Sequence, residues 1–353
     1  MNTKMDQPSN KEHDWITLLS DNCRTGGQGR RSFRPPQGVR WQFRAERAIR
    51  SAPLLRDGVL YVASVHGAVH ALDAESGRSK WKLQVSGLIH STPSISGNKL
   101  LVGCDDGKVY AVACDSGKKV WEAATAAEVW SSPIVRNETV FFGSADGRVY
   151  AVELETGKPR WTQALGGRIY ASAHATEECV CLGSGDGKVY CLQASSGRVL
   201  WSKQTGDGID SSPAVVGDTV LIGSEDFFFY ALDAIAGGVR WKYETGLGIS
   251  SSPAASGEFA VVGSKDGCVY AWEISTGQLR WRTQVGTVVT APPALGENAV
   301  LIQAEEGLTY SLDSSSGQVL WKAGLGGSLQ SVPVMAGDRI YLASQDGMVY
   351  ALE

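Results

Sequence analysis

Three residue columns repeating every 40 positions predict an all-β, eight-bladed propeller of four-stranded antiparallel blades, its ring closed by an N-terminal strand that completes the last blade. The first column is Trp41, Trp81, Trp121, Trp161, Trp201, Trp241, Trp281 and Trp321, with no insertion between copies. The second is Pro53, Pro93, Pro133, Pro213, Pro253, Pro293 and Pro333, with Ala173 the one exception. The third is an Asp-Gly turn at Asp106-Gly107, Asp146-Gly147, Asp186-Gly187, Asp266-Gly267 and Asp346-Gly347, with variants at His66-Gly67, Asp226-Phe227 and Glu306-Gly307.

Within one copy the elements follow in order. A short strand near Ser211-Ser212-Pro213-Ala214-Val215 leads to a Gly217-Asp218 turn. Around Asp186-Gly187, Val180-Cys181-Leu182-Gly183 and Val189-Tyr190-Cys191-Leu192 flank a tight turn with β-branched and apolar residues, the strongest short-range hairpin signal. A Gly-containing turn such as Ser196-Gly197 then opens the Trp-bearing strand. The last copy ends at Val349-Tyr350-Ala351-Leu352-Glu353 without that fourth strand, and Val39-Arg40-Trp41 supplies one. Joining the two ends in one blade removes the exposed edges that open sheets must protect. Residues 1–37 read as a polar N-terminal extension and 38–353 as a single propeller.

The composition is globular and turn-rich, with 43% hydrophobic residues, 20% charged residues and 42 glycines. A net charge of -4 offers no general attraction to phosphate backbones, so nucleic acid is not an expected partner. No run is long enough to span a bilayer, and Met1 to Trp15 lacks the apolar core of a secretory signal, which points to a cytoplasmic location. Cys23, Cys104, Cys114, Cys179, Cys181, Cys191 and Cys268 form an odd set without C-x-x-C spacing; they read as reduced, mostly buried thiols, with no metal site placed.

The run Tyr150-Ala151-Val152-Glu153-Leu154-Glu155-Thr156-Gly157 to Trp161, echoed at Tyr230-Ala231-Leu232-Asp233 to Trp241, resembles the repeat of the pyrroloquinoline-quinone-type propeller family. The leader from Asp14-Trp15 to Arg24-Thr25-Gly26 is also similar to the segment preceding such propellers. The resemblance implies that each Trp docks between neighbouring blades against Ala and Gly positions. It leaves function open, because the repeat serves quinoprotein alcohol dehydrogenases, an outer-membrane assembly lipoprotein and domains appended to adenylating enzymes. Adjacent cysteines of the dehydrogenase type are absent, so pyrroloquinoline quinone is disfavoured and no cofactor is expected.

Candidate site residues are those that refuse to repeat. The position three before the Pro column reads Arg50, His90, Trp130, Tyr170, Asp210, Ser250, Thr290 and Gln330, beside a constant Ile, Val or Leu. This variable column belongs at the mouth of the central channel, either as a ligand pocket or as a solvated rim. On the same face, Phe227 and Phe228 replace turn residues, either as an exposed contact or folded over their own blade. Catalysis has only weak candidates in His90, Tyr170 and Asp210, since no nucleophile elbow, P-loop or zinc-protease motif occurs. The expected function is binding of a protein or peptide by a scaffold module through the channel-mouth face. The alternative is an enzyme acting on a small molecule held there, and quinone-dependent oxidation ranks third.

Overall fold

The computed structural model describes residues 34–324, 331–336 and 338–353. The leader with Cys23, the Leu325-Gly326-Gly327 segment and Gln330 lie outside the described residues. Eight antiparallel sheets of four strands follow one another along the chain. We number the blades from the sheet that opens at Leu54–Arg56. Blade 4, for example, consists of His174–Ala175, Cys179–Gly183, Lys188–Gln193 and Val199–Gln204. First strands meet between blades 2 and 3, 3 and 4, 5 and 6, 6 and 7, and 8 and 1, so they line the axis and the ring is closed.

Closure takes the expected route. Val39–Arg44 pairs with Met348–Leu352, placing Trp41 opposite Ala351, and completes blade 8. Backbone bonds between Gly38 and Glu353 and an Arg40–Glu353 ion pair fix the junction. Blade 8 then joins blade 1 through Trp41, whose indole N–H donates to the Ala74 carbonyl at 3.0 Å, and through the Tyr341 hydroxyl to the same oxygen at 3.2 Å.

That Trp contact recurs at the seams. Trp81, Trp121, Trp161, Trp201, Trp241 and Trp281 each donate to the carbonyl 33 residues on, at 2.7–3.0 Å. Each ring covers a turn glycine of the next blade. At Gly197, with φ of +74°, an added Cβ would stand 2.5 Å from the Trp161 ring, so a left-handed backbone and a close approach both require glycine.

The first strands are shorter than the sequence suggests, because pairing starts only after the Pro column, as in Ala214–Val216. Proline has no N–H for a ladder. The residue before it sends its amide to the neighbouring blade instead. Ala52 donates to Thr92 Oγ1, Thr92 to Ser132 Oγ, Ser132 to Ser172 Oγ, Ser172 to Ser212 Oγ and Ser212 to Ser252 Oγ, at 2.7–3.1 Å. This hydroxyl girdle explains the small residues before each Pro and ends where Pro292 and Val332 occupy the column. Beneath it, Ile49, Ile89, Val129, Ile169, Ile209, Ile249 and Val289 are fully buried.

Candidate functional site

The variable column precedes each first strand and therefore stands around the axis, on the face that also carries the Asp-Gly turns. Blades 2, 3 and 4 bring His90, Trp130 and Tyr170 into one aromatic ledge. The His90 and Trp130 ring centroids are 4.7 Å apart, and Trp130 stacks on Tyr170 at 4.6 Å with 26° between planes. Trp130 is 39% exposed, so the ledge is open to a ligand. Its orientation is set from below: the indole N–H donates to Asp105 Oδ1 at 2.7 Å, and His90 Nε2 lies 3.6 Å from the other oxygen of that carboxylate. Arg168 donates to the Tyr170 hydroxyl at 3.2 Å, and Arg50 is near enough to act on His90.

Asp105 was not singled out in the sequence, because it stands beside Asp106-Gly107 and reads as turn chemistry. The signal that could have found it is its own column: Val65, Asp105, Ala145, Gly185, Glu225, Lys265, Glu305 and Gln345 vary as widely as the mouth column does. The two variable columns meet around the mouth. Lys265 Nζ donates to both Glu225 oxygens at 2.7 and 2.8 Å, and the Thr290 hydroxyl donates to Glu305 at 2.8 Å.

Burial in the recess governs the titrations. It lowers the pKa of His90 against the opposing pull of Asp105, and it raises that of Asp105 against the pull of His90, so both groups lean toward their neutral forms. Asp210 is reached by solvent yet flanked by protein; that desolvation, helped by Glu225, raises its pKa while Lys265 opposes. His90 meets Asp105 rather than Asp210. Ser250 and Thr290 continue the mouth as half-buried hydroxyls.

The two phenylalanines separate. Phe227 is 43% exposed and adopts a φ of 76°, a conformation that Gly takes in most sibling turns. Phe228 does not reach the mouth. As the first residue of Phe228–Asp233 it turns to the blade flank, where Lys242 Nζ sits 3.8 Å above its ring. Side chains alternate along a strand, so consecutive residues cannot serve the same surface. A separate groove of about 380 Å³, lined by Arg56, Tyr61, Trp81, Asn98 and Asp115 among others, lies between blades 1 and 2 on the opposite face.

Comparisons with known proteins place this geometry. The profile of the beta-alanine-activating enzyme β-propeller matches residues 136–353, and that of the outer membrane protein assembly factor BamB matches residues 31–176. BamB from Moraxella catarrhalis shares 20% identity and a TM-score of 0.78 over 90% of this chain and 99% of its own. The computationally designed Ika8 protein shares 19% identity and a TM-score of 0.80 over 88% of this chain and 97% of its own. A quinohemoprotein alcohol dehydrogenase from Pseudomonas putida HK5 shares 14% identity and a TM-score of 0.84 over 98% of this chain and 80% of its own. No curated protein sequence gives a significant match.

These likenesses correct two expectations. The cytoplasmic location does not stand, because the profile over residues 31–176 and the similar BamB structure belong to an outer-membrane assembly factor. The reduced state of the thiols therefore no longer follows from compartment. Disfavouring pyrroloquinoline quinone does not stand either, because the whole fold is shared with quinoprotein dehydrogenases and the mouth offers the flat Trp130–Tyr170 stack. Among the described residues no helix is long and apolar enough to cross a membrane. With more than half of its length matched by one profile, the chain belongs to the β-propeller family of the beta-alanine-activating enzyme.

Proposed function

We propose that this chain is a binding and scaffold module that holds a protein or peptide partner across the face around its channel mouth. The observation that carries this reading is the ledge His90–Trp130–Tyr170, built from three successive blades and exposed at its centre. Aromatic rings on a rigid support supply large contact area with little entropy to lose, and Trp and Tyr dominate interface energetics. Asp210, exposed one blade beyond Tyr170, borders the ledge with an acidic group, which suits a segment that pairs an apolar or aromatic residue with Lys or Arg. Likeness to an outer membrane protein assembly factor supports the same role. In this reading residues 38–353 act as one unit and 1–37 as an extension to it.

Selection of short random peptides on the full chain tests the proposal. Enriched peptides should carry basic and aromatic residues and lose at least about tenfold in affinity on Trp130→Ala, as expected of a central aromatic anchor. Peptides that bind Trp130→Ala as well as the parent would contradict it.

A second reading rests on the same stack. A quinone lying on Trp130, with Arg50 and Arg168 toward its carboxylates, would supply two-electron oxidation at the mouth. A saturable absorbance change of pyrroloquinoline quinone that is lost in Trp130→Ala would favour it over the scaffold.

A further inference from the structure

Blade 4 departs from its siblings at one place that the mouth does not use. Cys179, Cys181 and Cys191 occupy columns that hold Thr139, Phe141 and Ala151 in blade 3 and Thr219, Leu221 and Ala231 in blade 5; no other blade has cysteine in any of the three. Cys181 and Cys191 are direct cross-strand partners on either side of the Asp186 turn, and Cys179 precedes Cys181 by two residues, on the same face. Their sulfurs all lie within 4.8 Å of one another. Cys181 and Cys191 are each 1% exposed, Cys179 is half-buried, and all three are free of disulfides. Thr176 Oγ1 touches the Cys179 sulfur at 3.4 Å, and His174, the strand partner of Cys181, is near enough to act on Cys179.

We propose that these three thiols form a binding site for a soft, closed-shell cation of the Zn(II) or Cu(I) type. Sulfurs bound to one ion at about 2.3 Å stand roughly 4 Å apart, which the cluster already permits. Thiolates select such ions over hard cations, and the surrounding apolar seam with Val220, Ile222 and Trp201 keeps competing water away. Coordination is an exchange without redox change: each coordinating thiol releases its proton to solvent and gives a sulfur lone pair to the cation. The ion's charge offsets thiolates that would otherwise be costly to bury. Cys179, the half-buried member, provides the entry. The site lies by the first turn of the blade, on the opposite side of the hairpin from the mouth, so partner binding and cation binding are separable. Its effect is to clamp the second and third strands of the one blade whose Pro column holds Ala173.

The test uses the full chain, stripped of metal and kept reduced without oxygen, titrated separately with Zn(II) and with Cu(I) against a chromophoric chelator. About one cation should bind per chain, with three sulfur neighbours by X-ray absorption and a raised melting temperature. Three sulfurs plus one lighter neighbour identify the Zn(II) type, and three sulfurs alone the Cu(I) type; either supports the proposal. Cys181→Ser and Cys191→Ser should weaken binding about a hundredfold or more. Should those buried variants fail to fold, Cys179→Ser at the half-buried position carries the comparison, with Cys268→Ser as the control that binds normally. Binding of neither ion above the Cys179→Ser level, or equal loss in Cys268→Ser, overturns the proposal.

Discussion

From blade 2 to blade 3 the seam is held by Trp121 on Gly157 and by the Thr92 amide on the Ser132 hydroxyl; one blade on, Trp161 on Gly197 and the Ser132 amide on the Ser172 hydroxyl do the same. At the mouth the same step of 40 residues turns Trp130 into Tyr170 and then Asp210. Seam residues face an identical neighbour at every step, so one solution fits all. Mouth residues face the open axis, where the fold imposes no partner. The difference separates side chains that hold the ring from side chains that are free to recognise something, and each half of that division has consequences.

Ring closure should show the largest effect. Trp41→Ala removes the blade 8 to blade 1 dock, and loss of a large packed aromatic costs about 3 kcal/mol. Denaturant titration should find it as damaging as Trp201→Ala. Equal stability of Trp41→Ala and the parent would mean that the N-terminal strand is dispensable.

A pH effect of similar size belongs to blade 1. Tyr110, Tyr150, Tyr190, Tyr230 and Tyr270 donate to the turn Asp of their own blade at 2.5–2.7 Å, whereas blade 1 has His70 buried in the Tyr column and His66 in the Asp column. Burial lowers the His70 pKa from 6.5 to about 4. Its folded pKa is below the unfolded one, so this stability is complete above pH 6.5 and is lost as pH falls through about 4. The full loss corresponds to about 3 kcal/mol. In His70→Tyr, chemical denaturation at stepped pH should lose that part of the acid slope; an unchanged slope would assign it elsewhere.

Ser132→Ala should cost about 1–2 kcal/mol, since the Thr92 amide loses its buried acceptor. At the turn of blade 5 the sign reverses. Phe227→Gly relieves a left-handed φ and should stabilise by about 1 kcal/mol, less whatever the unfolded chain regains. A destabilised variant would mean that Phe227 packs on the fold rather than standing ready for a contact.

The sequence reveals the seams better than the mouth for the same physical reason. Trp161, Gly197 and Asp186-Gly187 announce themselves because a shared environment repeats their identity. Closure by Val39-Arg40-Trp41 was readable as a missing strand in the last copy. Mouth chemistry had to be sought as departures, which found His90, Trp130, Tyr170 and Asp210 yet passed over Asp105 as a turn residue. Phe228 was placed at the rim because the turn was read as a unit, without the alternation that sends it to Lys242. The thiol cluster left a trace, since Cys181 and Cys191 are equally distant from Asp186, but only the register of the hairpin joins them to Cys179. Location depended on a leader segment, and the quinone on one missing motif; neither is fixed by the propeller itself.

The central claim is that the mouth column recognises a partner without holding the fold, with recognition on the side of blades 1 to 5. Titration calorimetry of one selected peptide against Arg50→Ser, His90→Ser, Trp130→Ser, Tyr170→Ser and Asp210→Ser, beside Ser250→Ala and Thr290→Ala, tests it directly. The account expects unfolding free energies within about 0.5 kcal/mol of the parent throughout. Affinity should fall about tenfold or more at Trp130 and Tyr170 and change less than about twofold at Ser250 and Thr290. Affinity that survives at the ledge and fails at Ser250 and Thr290, or ledge variants that unfold, would contradict it.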